Sequence, residues 1–152
     1  MAVAWGWVFE GCGKGEYSVT PAIQPVLLIV EDDREMRSLL CDELKDLQYR
    51  IIEAGDGNEA VERVRETNPS LILTDLRMPG GGLGYVGRLR MAAPTCPIIL
   101  MTAFGDPSVR ESARRFGISA YLDKPVRMAE LRASIKQLLD DRTGNGSQGE
   151  GV

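Results

Sequence analysis

The chain has 152 residues and a formal net charge of −4. That length suits one domain with its own core, and the acidic balance disfavours non-specific binding to nucleic acid. It contains no histidine, which excludes histidine general bases, histidine metal ligands and a histidine phosphodonor within the chain.

The cysteines Cys12, Cys41 and Cys96 are scattered and odd in number. They have neither metal-ligand spacing nor a disulfide pattern, and a reducing cytoplasm is the simplest compartment. Residues 1–24 are glycine-rich and aromatic without clear periodicity, and read as a flexible extension outside the core. Trp5, Trp7, Val8 and Phe9 have no basic leader, and Gly6, Glu10 and Gly11 interrupt them, so no secretory signal is expected. No apolar run is long enough to span a membrane.

Pro25 leads into Val26 to Val30, apolar without alternation, as a parallel strand covered on both faces should be. Glu31, Asp32 and Asp33 follow. From Arg34 to Gln48, the residues Met36, Leu39, Leu40, Leu44 and Leu47 recur at helical spacing, with Asp33 a suitable N-cap. Arg50 to Ala54 is a second strand, and Gly55 to Asn58 a turn. Asn58 is expected to cap a helix from Glu59 to Thr67, ended by Asn68 and Pro69.

Leu71, Ile72 and Leu73 open a third strand, ending at Thr74 and Asp75. A glycine-rich loop follows Met78 and Pro79, and then a helix with Val86 and Leu89 on one face runs to Met91. Ile98 to Met101 is a fourth strand, ending at Thr102 and Ala103. Asp106 and Pro107 open a helix with Val109, Ala113 and Phe116 inward, stopped by Gly117. Ala120 to Leu122 is the fifth strand, ending at Asp123, Lys124 and Pro125. The last helix, Met128 to Leu139, buries Leu131, Ile135, Leu138 and Leu139. Residues 141–152 read as a disordered polar tail, leaving residues 25–140 as the folded domain.

Five strands alternating with five helices predict a doubly wound α/β domain with a parallel sheet. Ligands bind such a sheet at the carboxyl ends of its strands, and there the sequence puts Asp32, Asp33, Asp75, Thr102 and Lys124. Each has an ordinary reading alone: a cap, a turn former, a solvated lysine. Together on one edge they read as a site. Carboxylates ~5 Å apart at an effective dielectric near 20 repel by about 3 kcal/mol per pair, so the cluster calls for a cation. With no histidine or cysteine beside it, a hard, oxygen-seeking ion such as Mg²⁺ fits, with Mn²⁺ an alternative. Lys124 is a second counter-charge, and Thr102 offers a hydroxyl to a ligand oxygen. A carboxylate can attack phosphorus to form an acyl phosphate, and the transfer needs little beyond alignment and charge neutralisation. Asp75 reads as that phosphate acceptor.

The segments Val30-Glu31-Asp32-Asp33, Thr74-Asp75-Leu76-Arg77-Met78-Pro79-Gly80, Met101-Thr102-Ala103 and Tyr121-Leu122-Asp123-Lys124-Pro125 resemble, in order and spacing, the CheY-like receiver domain of two-component response regulators. The resemblance spans Val26 to Leu139. It implies a flavodoxin-like (βα)5 three-layer sandwich with strand order 2-1-3-4-5. It implies phosphorylation of Asp75 by a phosphohistidine on a sensor kinase or phosphotransfer protein. Asp33 and Asp75 would be direct Mg²⁺ ligands, Asp32 would act mainly through water, and the backbone carbonyl of Arg77 would be another ligand. Thr102 and Lys124 would hold phosphoryl oxygens, Tyr121 would be the aromatic switch, and Lys124-Pro125 a cis peptide. Arg77 and Phe104 occupy positions that tune access and dephosphorylation rate.

The output implied by the resemblance is a face formed by the fourth helix, fifth strand and fifth helix, residues 107–139. It would engage a target protein or an output domain, or a second copy as a homodimer, with no direct nucleic-acid or membrane contact. The chain would be a signalling switch, with only self-phosphorylation and autodephosphorylation as chemistry. Two other readings share the residues. One is a degenerate receiver-like binding module that is not phosphorylated. The other is a haloacid-dehalogenase-type aspartyl-phosphate phosphatase, which ordinarily carries an Asp where Arg77 stands. The sequence departs from the receiver pattern at Gly80-Gly81-Gly82-Leu83-Gly84, which is one residue shorter and lacks the usual Met-Asp-Gly-like segment. Ordering so many glycines costs backbone entropy, and this loop is expected to be mobile without Mg²⁺.

Overall fold

Strands with apolar side chains on both faces need cover on both faces, and in this chain helices supply it on each side. The computed structural model describes residues 7–10, 18–21, 24–103 and 107–144. Cys12, Phe104, Asp106 and residues 145–152 lie outside them.

Within the N-terminal extension, β1 (Trp7–Glu10) and β2 (Ser18–Pro21) pair antiparallel, with Phe9 opposite Val19. Regular structure here was not expected. Phe9, Val8, Val19 and Thr20 are aromatic or β-branched residues suited to a pleated strand, but each strand is too short to reveal a period.

The main sheet contains β3 (Val26–Val30), β4 (Arg50–Ala54), β5 (Leu71–Asp75), β6 (Ile98–Thr102) and β7 (Ala120–Asp123). All neighbours are parallel, in the order β4-β3-β5-β6-β7. Counting these five alone gives 2-1-3-4-5, as expected. The helices are α1 (Arg34–Leu44), α2 (Gly57–Thr67), α3 (Leu83–Ala92), α4 (Pro107–Arg114) and α5 (Met128–Gly144).

Side chains alternate across each strand. Leu27, Ile29, Leu71, Leu73, Ile99 and Met101 pack with Leu40 and Leu44 of α1 and Leu131 and Ile135 of α5. Leu28, Val30, Ile72 and Ile98 pack on the opposite face, with Val61 and Val64 of α2 and Val86 and Leu89 of α3.

Several boundaries differ from the sequence reading. The regular part of α1 ends at Leu44, and Lys45–Leu47 forms a 3-10 turn closed by left-handed Gln48. Leu39, read as part of the apolar stripe, is 47% exposed. Asp56, not Asn58, caps α2: its carboxylate accepts the amide of Glu59 at 2.8 Å, and the Glu59 carboxylate accepts the amide of Gly55 at 2.9 Å. This is close to a reciprocal capping box, shifted by one residue on the return bond. Asn58 instead accepts the guanidinium of Arg88. The last helix continues past Leu139 to Gly144.

The N-cap of α3 is Gly82, which has φ 92° and no side-chain cap bond. Gly84, in its first turn, has open space where a Cβ would stand. Gly84→Ala is therefore expected to stabilise the protein by about 0.5–1 kcal/mol, through lower entropy of the unfolded chain. A higher urea midpoint with an unchanged slope would be the signature. At Gly87 the same change would press the Phe116 ring at 3.3 Å and should gain less.

Candidate functional site

The register that stacks Leu27 on Leu71 and Val30 on Thr74 puts the residue after β3 level with the end of β5. Glu31 and Asp75 therefore leave the sheet side by side. Both are buried, at 1% and 5% exposure, and both meet Lys124. The ammonium of Lys124 donates to Asp75 Oδ2 at 2.6 Å and to Glu31 Oε2 at 3.0 Å. Lys124 directly follows β7, its amide donates to the carbonyl of Thr102 at 2.8 Å, and the Lys124-Pro125 peptide is cis, as expected.

Carboxylate oxygens of Glu31, Asp32 and Asp75 lie within 4.8 Å of one another. This corrects one expectation. Asp33 is not in the group: its Oδ1 accepts the amides of Glu35 and Met36 at 3.0 and 3.1 Å as the N-cap of α1. The chain has turned into the helix by that residue, so its carboxylate serves the helix N-terminus. Glu31, absent from the expected ligand set, takes the place by Asp75. Its main chain is held as well, since Arg37 Nη1 donates to the Glu31 carbonyl at 2.6 Å and Nε to Glu53 at 3.2 Å. The missed signal was parity. Leu27, Ile29 and Glu31 fall on the same face as Leu71, Leu73 and Asp75.

Burial raises the pKa of Glu31, and the charge of Asp75 adds to this, against the hydrogen bond and charge of Lys124. Burial works against the Lys124 ammonium, but its bonds to Asp75 and Glu31 and their charges outweigh it and raise its pKa. Three carboxylates and one ammonium leave two negative charges uncompensated when all are ionised, an all-oxygen donor set suited to a divalent hard cation. Asp75 is also held at its other oxygen, where Oδ1 accepts the amide of Arg77 at 3.0 Å. The Arg77 side chain is exposed.

Thr102 ends β6 beside this group. Its hydroxyl is buried and has no hydrogen-bond partner among the described residues, a state that costs roughly 1–3 kcal/mol unless a ligand satisfies it. Tyr121 of β7 is half-buried. Its hydroxyl donates to the Arg110 carbonyl of α4 at 3.2 Å, and the Arg110 guanidinium lies 5.9 Å from its ring centroid. Arg110 also pairs with Asp123. Thus Asp32, Asp75, Lys124 and Thr102 come to one edge as expected, with Glu31 added and Asp33 removed.

The response regulator receiver domain model matches residues 27–136. The chain belongs to this family. The receiver is 34% identical over 116 residues to the phosphate regulon transcriptional regulatory protein PhoB of Klebsiella pneumoniae, an alignment covering 74% of this chain and 51% of that protein. It is 36% identical over 119 residues to hybrid signal transduction histidine kinase D of Dictyostelium discoideum, covering 76% of this chain and 8% of the kinase. The receiver thus spans about half, or far less, of such curated relatives. Among solved structures, it resembles chemotaxis response regulator CheY4 of Vibrio cholerae at 25% identity and TM-score 0.70, covering 76% of this chain and 99% of that one. A CheY-like receiver from Methanospirillum hungatei, at 22% identity and TM-score 0.77, covers 80% and 98% and shares the fold. Among the described residues no helix is long and apolar enough to cross a membrane.

Proposed function

We propose that this receiver accepts a phosphoryl group on Asp75 from a phosphohistidine donor, in a reaction that requires Mg²⁺, and that the modification switches a partner-binding face. The observation that carries this is the clasp on one buried carboxylate: Lys124 on Oδ2, the Arg77 amide on Oδ1 and two further acids within 4.8 Å. Glu31, Asp32, Asp75 and the carbonyl of Arg77 would hold the cation, which would neutralise phosphoryl oxygens during transfer. An Asp75 oxygen attacks phosphorus in line, an O–P bond forms, and the P–N bond to the donor imidazole breaks with its electron pair leaving on nitrogen. Lys124, kept as an ammonium by its acidic neighbours, can follow the new charge from Asp75 Oδ2 to a phosphoryl oxygen. The hydroxyl of Thr102, unpaired among the described residues, can donate to another.

A shift of Thr102 would be felt at Tyr121, on the adjacent strand and hydrogen-bonded to α4. This supports residues 107–139 as the output face, with a target protein, an output domain or a second copy as partner. The test is intact-protein mass after incubation with acetyl phosphate and Mg²⁺. One phosphoryl addition is expected, and its complete loss in Asp75→Asn or without the metal. No addition from acetyl phosphate or from a phosphorylated histidine kinase would leave a receiver-like binding module instead.

A further inference from the structure

Thr74 and Asp75 are neighbours on β5 whose side chains point to opposite faces of the sheet. Asp75 faces Lys124, and Thr74 faces α3. The Thr74 hydroxyl is 2.8 Å from the carbonyl of Asp75 and 3.0 Å from the hydroxyl of Tyr85. A threonine hydroxyl has one proton. Donated to the Asp75 carbonyl, it leaves Thr74 as acceptor and Tyr85 as donor. Two hydrogen bonds therefore run in series from the first turns of α3 to the peptide that follows the acceptor. Tyr85 is 2% exposed.

We propose that Tyr85 is a positioning residue for the acceptor. Acting through Thr74, its phenol holds the Asp75–Leu76 peptide and the loop leading from Asp75 into α3. The inference rests on Asp75 being the acceptor proposed above.

Asp75 is held at its main-chain carbonyl as well as at its side chain. Its carbonyl is held by the Tyr85–Thr74 pair, and its carboxylate by the returning amide of Arg77. Rotation of the Asp75–Leu76 peptide would move the Arg77 amide away from Oδ1 and carry the Arg77 carbonyl with it. The loop has few other anchors that depend on side chains. Gly82 caps α3 without a side-chain bond, and Gly80, Gly81 and Gly84 bring none. Tyr85 supplies the fixed point that a capping side chain would supply elsewhere. Its ring also lies 3.0 Å from where a Cβ on Gly57 would stand, so the same residue seats the start of α2 against the loop. A tyrosine that only filled this space would be replaced by phenylalanine without effect on the loop.

Tyr85→Phe, Thr74→Val and Thr74→Ser in the full chain separate the two cases. Amide exchange of the Leu76–Gly82 peptide, read by mass spectrometry without divalent ions, is expected to speed up about fivefold in Tyr85→Phe and Thr74→Val, the scale of one lost hydrogen bond. Acetyl-phosphate labelling at saturating Mg²⁺ should slow by about the same factor. Thr74→Ser, which keeps the hydroxyl, should restore both, and the Phe/Val double variant should be no worse than either single one. A lower melting temperature in Tyr85→Phe with unchanged exchange and labelling would overturn the proposal, as would Thr74→Ser behaving like Thr74→Val. If Tyr85→Phe does not fold, the two Thr74 variants decide. If the wild type takes no phosphate, the acceptor assignment fails, while the exchange rates still decide the role of Tyr85.

Discussion

Replacing Lys124 with methionine is expected to destabilise the metal-free protein by about 3 kcal/mol near neutral pH, the scale for removing one partner of a buried ion pair. The side chains it serves, Glu31 and Asp75, are only 2% and 7% exposed. Methionine keeps much of the apolar stem but leaves adjacent carboxylates without a counter-charge. The loss should depend on pH in a defined direction. Burial already raises Glu31 above 4.5, and Lys124 opposes that rise through its hydrogen bond and charge; without the lysine, Glu31 rises further.

A carboxyl whose pKa is higher folded than unfolded favours the folded state below the unfolded value. That contribution is lost as pH climbs through the folded value. The variant should therefore lose more stability than wild type between about pH 5 and pH 7.5. Lys124 is itself raised above 10.5, so its contribution is complete below 10.5 and is lost only as pH passes its folded pKa. Urea unfolding at the two acidities checks the slope. Mg²⁺ should recover part of the loss, since it supplies positive charge to the same carboxylates. A pH-independent deficit that ignores Mg²⁺ would mean that Lys124 contributes through packing of its stem.

How much of this was legible in the sequence depends on whether a signal is local. Uninterrupted apolar strands fixed the parallel sheet, and Asp75, Thr102 and Lys124 followed from lying where those strands end. Asp33 was the error. It has the composition of a ligand and the position of a cap, and Arg34–Leu44 begins immediately after it, so the cap wins. Glu31 was recoverable by carrying the alternation of Leu27 and Ile29 one step beyond β3. The exchange of Asn58 for Asp56 has a similar cause. Both can cap, and Glu59 decides by reaching back to Gly55.

Other contacts leave no local trace. Arg90 donates to the main-chain carbonyls of Ala93, Cys96, Phe116 and Gly117, joining the loop before β6 to the turn after α4. A guanidinium bound by carbonyls looks, in sequence, like any surface arginine. The hydroxyl chain from Tyr85 to Asp75 is similar. Tyr85 reads as one more large residue in α3 until the strand register brings Thr74 to meet it.

Gly57→Ala should destabilise the protein by about 2–3 kcal/mol, at the upper end of the range for overpacking, and should weaken Mg²⁺ binding. A Cβ on Gly57 would stand 2.0 Å from the carbonyl oxygen of Gly80 and 2.6 Å from its carbon. These are main-chain atoms and cannot rotate aside as a long side chain can. Nor is Gly80 loosely held. It has φ +70°, the Gly57 amide donates to the Pro79 carbonyl at 3.0 Å, and Gly81 and Gly82 return hydrogen bonds to Met78 and Leu76 at 2.9 and 3.0 Å. To admit one methyl group, the loop must give up part of this set, and the same loop carries Arg77, whose amide holds Asp75 Oδ1.

The glycines here have two different roles. At Gly57 and Gly81 the absence of a side chain permits close approach, since a Cβ on Gly81 would also meet the Leu76 carbonyl at 2.4 Å. At Gly84 it leaves open space. The pair of variants therefore tests the expectation of a loose loop drawn from glycine content alone. If the loop is a packed turn, Gly57→Ala lowers the urea midpoint and Gly84→Ala raises it. If both substitutions stabilise, helix propensity outweighs the clash. The loop then moves aside freely, and its hydrogen bonds to Leu76 and Met78 hold little of the Asp75 edge in place.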